Sequence, residues 1–141
     1  MPPNFTKSWE AQVGLNHVPA YQASGRPYAT GSLEVSTPKV LEFPFVTRWV
    51  YVQNHGTGSV KIGFSQNGVT GTGTSANYFR LNGTQAGANN AQTIRLELKV
   101  SELWLHGNSD DVDVVAGLTT IPSARTSGSA GTSWSGSAGV G

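Results

Sequence analysis

The run Ile94-Arg95-Leu96-Glu97-Leu98-Lys99-Val100 alternates apolar and charged side chains without a break. A repeat of two puts Ile94, Leu96, Leu98 and Val100 on one side of an extended chain and Arg95, Glu97 and Lys99 on the other. The pattern predicts a half-buried strand with one wet face. The same period recurs at Val60, Ile62 and Phe64. It recurs again at Val112, Val114, Ala116 and Leu118, where Val115 interrupts the polar side. Leu41-Glu42-Phe43-Pro44-Phe45 also alternates, and Pro44, which has no N–H to give a ladder, predicts a sheet edge or a bulge. Trp49-Val50-Tyr51-Val52 is apolar on both faces and is expected to be covered on both sides. After Val100 the apolar register slips by one at Leu103-Trp104-Leu105, so a bulge or a turn between two strands is expected there.

No stretch carries helical periodicity, and the breaks are turn-like. Asn54-His55-Gly56-Thr57-Gly58 resembles a hairpin loop. Residues 66–76, with Gly68, Gly71 and Gly73, read as a polar, glycine-rich loop, as do residues 82–92. Asn108-Ser109-Asp110-Asp111 is a further turn. About eight short antiparallel strands at this spacing predict an all-β fold, a single β-sandwich or jelly roll.

The ends differ from this middle part. Residues 1–32 predict an extended N-terminal arm: Phe5, Trp9, Tyr21 and Tyr28 fall among Pro2, Pro3, Pro19 and Pro27 with no alternation. Residues 33–122 hold the β pattern. Residues 123–141 form a Ser/Gly/Ala-rich tail in which Ser127-Gly128-Ser129-Ala130-Gly131 recurs as Ser135-Gly136-Ser137-Ala138-Gly139. Such a composition reads as a flexible tail. Trp134, between the copies, is the exception, and it suggests an anchor on a neighbouring subunit.

A chain of 141 residues builds one domain with its own core. Charged residues are 12% of the chain, and nine basic against eight acidic leave a net charge of +1. That balance argues against binding nucleic acid through bulk positive charge. No apolar run has the length of a membrane span, and Met-Pro-Pro-Asn-Phe lacks the features of a signal peptide. There are no cysteines, so disulfide scaffolds, thiolate metal sites and cysteine nucleophiles are excluded.

Chemistry-bearing patterns are sparse. His17, His55 and His106 are not paired with other ligands at metal spacing, and His55 reads as a turn residue. Asp110, Asp111 and Asp113 form an acidic group without the spacing of a calcium loop. Glu97 is expected to pair with a cross-strand cation. Gly71-Thr72-Gly73 is no phosphate loop, since no lysine follows it. Asn4-Phe5-Thr6 and Asn82-Gly83-Thr84 match the glycosylation acceptor pattern. Trp49, Tyr51 and Trp104 form an aromatic set that could stack on sugar rings, although ordinary sandwich packing also places aromatics on strands. No catalytic or metal-ligating set is assigned, no cofactor is expected, and the chain reads as a non-enzyme.

Val13-Gly14-Leu15-Asn16-His17-Val18-Pro19-Ala20-Tyr21-Gln22-Ala23-Ser24-Gly25-Arg26-Pro27-Tyr28-Ala29-Thr30-Gly31, with Trp49-Val50-Tyr51-Val52-Gln53-Asn54, Val60-Lys61-Ile62-Gly63-Phe64-Ser65 and Val114-Val115-Ala116-Gly117-Leu118-Thr119, resembles small virion structural proteins of marine DNA viruses. The resemblance implies a capsid protein of jelly-roll type at a vertex (penton), minor capsid or decoration position in the virion. Its partners would be copies of itself, with a pentamer among the forms it allows, and other capsid proteins, with no direct nucleic-acid contact. On that reading Trp9, Tyr21, Arg26 and Tyr28 dock the arm and Trp134 anchors the tail. The alternative is a carbohydrate-binding fibre-tip or decoration module for host attachment.

Overall fold

The computed structural model describes residues 25–84, 91–125, 134 and 136–141. Eight strands follow one another: β1 (Arg26–Leu33), β2 (Lys39–Glu42), β3 (Phe45–Asn54), β4 (Val60–Gly63), β5 (Tyr78–Leu81), β6 (Gln92–Leu96), β7 (Glu102–Gly107) and β8 (Val112–Pro122). One short helix, α1 (Gln66–Thr70), lies between β4 and β5. All pairings are antiparallel, in two four-stranded sheets of order β1-β8-β3-β6 and β2-β7-β4-β5. The protein is a β-sandwich, as the alternation predicts.

The period of two sorts side chains between core and solvent. In the first sheet Val50 and Val52 of β3 and Val112, Val114, Ala116 and Leu118 of β8 are buried. In the second sheet Leu41, Val60, Ile62, Leu103 and Leu105 are buried opposite them. Burying such a side chain is worth about 1.5–3 kcal/mol each, so this interdigitated layer is the main stabilising element. Tyr28 closes it at β1, meeting Phe43 edge-on with ring centroids 5.0 Å apart. β2 lies at the edge of its sheet. Pro44 falls in the break just after it, where its missing N–H costs no ladder bond.

Where the ladder is irregular, buried hydroxyls replace it. The β3–β8 register shifts around Thr47. Thr47 Oγ1 donates to the Leu98 carbonyl at 2.6 Å and accepts from the Val100 N–H at 3.1 Å. Thr119 Oγ1 donates to the Val46 carbonyl at 2.7 Å and accepts from the Ile121 N–H at 3.2 Å. The alternating run 94–100 is therefore divided. Its first part belongs to β6, while residues 98 and 100 bond to the irregular start of β3. The slip after Val100 is a turn between two strands, because β6 and β7 lie in different sheets.

Other expectations are revised. Residues 54–58 are not a hairpin loop: β3 and β4 belong to different sheets, and the turn carries the chain across the sandwich. Within 66–76, the Ser65 hydroxyl accepts from the Gly68 N–H at 2.9 Å and caps α1, whose Val69 is fully buried. The cap satisfies a donor that the first helical turn leaves free. Gly63 makes room for this helix, since a Cβ there would lie 2.7 Å from Val69 Cγ1. Residues 26–32, assigned to the arm, are the first seven positions of β1 and pair along β8.

The described end of the chain packs against the second sheet's side of the molecule. The Ser65 hydroxyl donates to the Val140 carbonyl at 2.6 Å. Trp134 is half-buried beside Phe64, Val100, Ser101 and Glu102. Trp134→Ala should lower stability by about 1.5–2.5 kcal/mol, half the cost of truncating a fully buried aromatic. A melting temperature about 5 °C lower is the expected reading. An unchanged melt would show that this contact stabilises nothing in the isolated chain.

Candidate functional site

Along β3 the side chains of Trp49, Tyr51 and Gln53 point away from the core, because Val50, Val52 and Asn54 point into it. Register extends each into a row across the first sheet. Pro27, Gly117 and Trp49 form one row; Ala29, Val115, Tyr51 and Arg95 the next; Asp113, Gln53 and Thr93 the third. Paired residues share a face, so the outer surface carries an aromatic strip on β3 beside a floor of small residues on β8 and β1. Two adjoining recesses follow from this difference in height. One, of about 420 Å³, is lined by Ala29, Gly31, Tyr51, Gln53, Asp113 and Val115. The other, of about 290 Å³, lies between Pro27, Trp49 and Val115.

Polar groups stand at one end of this groove. Asp113 Oδ1 accepts a hydrogen bond from the Ser32 N–H at 2.8 Å, and Asp113 Oδ2 lies 3.2 Å from His55 Nε2. Ser32 has φ 54°, a left-handed conformation unusual outside glycine. It lies within the register shift of β1 between Thr30 and Leu33 and turns its N–H toward the carboxylate. Gly31 supplies the space: a Cβ there would meet Asp113 Oδ1 at 2.9 Å. Asp110 and Asp111 continue the acidic end around His55. At the opposite side the Arg95 guanidinium sits 5.5 Å from the Trp49 ring centroid and 2.7 Å from Glu97. Glu97, just past the end of β6, is thus paired with Arg95 two residues before it rather than with a cation across the sheet.

Of the residues expected to make subunit contacts, the described ones, Arg26, Tyr28 and Trp134, do not converge. Trp9 and Tyr21 lie outside the described residues. Arg26 begins β1 and places its guanidinium 4.3 Å over the Phe45 ring. Tyr28 turns inward onto Phe43 and serves its own core. Trp134 packs on its own sandwich at the other sheet. The aromatic set divides as well. Trp49 and Tyr51 share the outer face of the first sheet. Trp104 lies on the second, opposite Val40 and Gly63, with its indole Nε1 buried and without a hydrogen-bond partner among the described residues. Trp49 and Tyr51 are half-buried rather than covered on both sides.

The sequence marks Asp113 only as part of an acidic group with Asp110 and Asp111, and it does not point to Gln53, Gly31 or Ser32 as site residues. The period of two already sets Gln53 in line with Trp49 and Tyr51; only the β3–β8 register adds Asp113. Among the described residues no group of three or more His, Asp or Glu side chains could hold a metal ion. The groove offers flat rings, an amide, a hydroxyl and an oriented carboxylate, a set suited to holding a ligand or a neighbouring surface by contact. Comparison with protein families, with curated proteins and with solved structures gives no match.

Proposed function

We propose that this chain is a structural subunit of a virus shell, a jelly-roll protein at a vertex or minor capsid position that works through contacts with its own copies and with other capsid proteins. The observation that carries the reading is the order of strand pairing. β1 pairs with β8, β3 with β6, β2 with β7 and β4 with β5. First meets last and the middle strands meet each other, as when a long two-stranded ribbon is rolled into two sheets. That winding is what an eight-stranded jelly roll requires. The sequence resemblance to small virion proteins supports the same reading.

Two surface features support a role built on contact. β1 is an eight-residue edge strand, exposed over much of its length, and an open edge is a template for a neighbouring chain. The near-neutral balance of charge, +1 over the whole chain, lets copies pack side by side without strong repulsion. Head-to-tail contacts between such subunits close into a ring when the rotation closes.

Electron microscopy of the concentrated protein tests the proposal. Closed rings or shell fragments are expected from the full chain, and their loss is expected when residues 1–24, which hold Trp9 and Tyr21, are removed. Dispersed single particles from the full chain would overturn the reading. Rings that persist without residues 1–24 would remove the arm from it.

A further inference from the structure

The groove on the outer face of the first sheet has features that subunit packing does not require. Tyr51 and Gln53 stand side by side on β3 and line the same recess. Neither the Tyr51 hydroxyl nor the Gln53 amide has a hydrogen-bond partner among the described residues. Asp113 faces the same space, but its carboxylate is already oriented by the Ser32 N–H and by His55. A backbone in a left-handed conformation at Ser32 and a residue without a Cβ at Gly31 both serve that orientation. Strain of this kind at a non-glycine residue persists where the surroundings enforce it and collects at ligand sites.

From this geometry we infer that the groove binds a neutral saccharide chain, independently of whether the protein builds a shell. A sugar ring presents an apolar C–H face and a rim of hydroxyls. The Tyr51 and Trp49 rings match the first, through the apolar, quadrupolar character of an aromatic face. The Gln53 amide, the Tyr51 hydroxyl and the Asp113 carboxylate match the second, offering donors and acceptors in one recess. Trp49, Tyr51 and Gln53 repeat at every second residue, about 6.6 Å apart, so an extended chain can run along the strand and meet each in turn. The two recesses adjoin in this direction and share Val115. Charge selects the class of sugar. Asp113, Asp110 and Asp111 crowd one end of the groove, and Arg95 at the other side is engaged by Glu97. At that end a sulfated or sialylated chain would meet three carboxylates against one imidazole, while Arg26, which borders the second recess, is engaged over the Phe45 ring.

The test is an array of neutral hexasaccharides of glucose, mannose, galactose and xylose, printed beside sialylated and sulfated glycans and probed with the full chain. Positives are titrated by tryptophan fluorescence, with Tyr51→Ala, Gln53→Ala and Asp113→Asn measured in parallel and each variant checked by its melting curve. Saturable binding to at least one neutral hexasaccharide is expected. Its affinity should fall about tenfold in Tyr51→Ala. Tyr51→Phe, which keeps the ring, should lose less, and Gln53→Ala serves if Tyr51→Ala fails to fold. Absence of binding to every neutral chain, binding confined to the acidic glycans, or affinity untouched by all variants would each overturn the inference. An oligomer that disperses in Tyr51→Ala while no glycan binds would assign the face to a subunit interface instead and overturn it too.

Discussion

A chain lacking residues 1–32 is expected to unfold, whereas one lacking residues 1–24 keeps a cooperative melt. The difference is β1. It pairs with β8 from Arg26 opposite Leu118 to Leu33 opposite Val112. Cutting after residue 32 removes that ladder, takes Tyr28 off Phe43 and opens one flank of Val114, Ala116 and Leu118, which are at most 2% exposed in the intact protein. Losing a strand's ladder and uncovering several core side chains costs on the order of 5 kcal/mol or more. A domain of this size holds roughly 5–15 kcal/mol in total. Cutting after residue 24 leaves every described strand in place. Circular dichroism melts of the two truncations check this. A chain without residues 1–32 that melted like the full protein would show that β1 adds little to the fold.

The second large effect is at Asn54, which is fully buried at the corner between the sheets. Its amide nitrogen donates to the Gly58 carbonyl at 2.9 Å and the Asn82 carbonyl at 3.2 Å. Its oxygen accepts from the Gly56 N–H at 3.1 Å and the Ser109 hydroxyl at 2.6 Å. The side chain thus uses its full capacity, two donors and an oxygen with two lone pairs. It ties together the end of β3, the turn to β4, the segment after β5 and the segment before β8. Alanine would leave those four groups short of partners, each costing about 1–3 kcal/mol when water cannot reach it. Asn54→Ala should lose about 3–5 kcal/mol in urea denaturation, near the top of the usual range for one substitution. Gln53→Ala, one residue away with its side chain on the outer face, should stay within about 0.5 kcal/mol. Equal small losses in both would show that the corner does not depend on the asparagine.

Much of the fold was legible because alternation reports burial directly. Val60 and Ile62, and Val112 to Leu118, follow from spacing, and the edge position before Pro44 follows from the N–H that proline lacks. Pairing partners do not, since they are set by contacts between residues far apart in the chain. The Asn54-His55-Gly56-Thr57-Gly58 segment has the composition of a hairpin but spans two sheets, and only the burial of Asn54 distinguishes the two. α1 is five residues long and holds a glycine, too short for a helical period to emerge. Residues 26–32 of β1 fall in the expected arm because aromatics among prolines show no alternation there; the strand's inward positions are Tyr28 and Thr30, and β8 organises it through pairing that no local pattern encodes. The groove shows the same division. Trp49 and Tyr51 were visible as an aromatic pair, while Asp113 joins them through a register no local pattern encodes. Trp104 was grouped with them by residue type and lies on the other sheet.

The central claim is that the protein acts by assembling with itself. Native mass spectrometry of the full chain across a concentration series tests it most directly. The account predicts a closed oligomer, with a ring of five at five times the 14.8 kDa chain mass as the form a vertex would use. A species that stays at the single-chain mass up to the limit of solubility would contradict it.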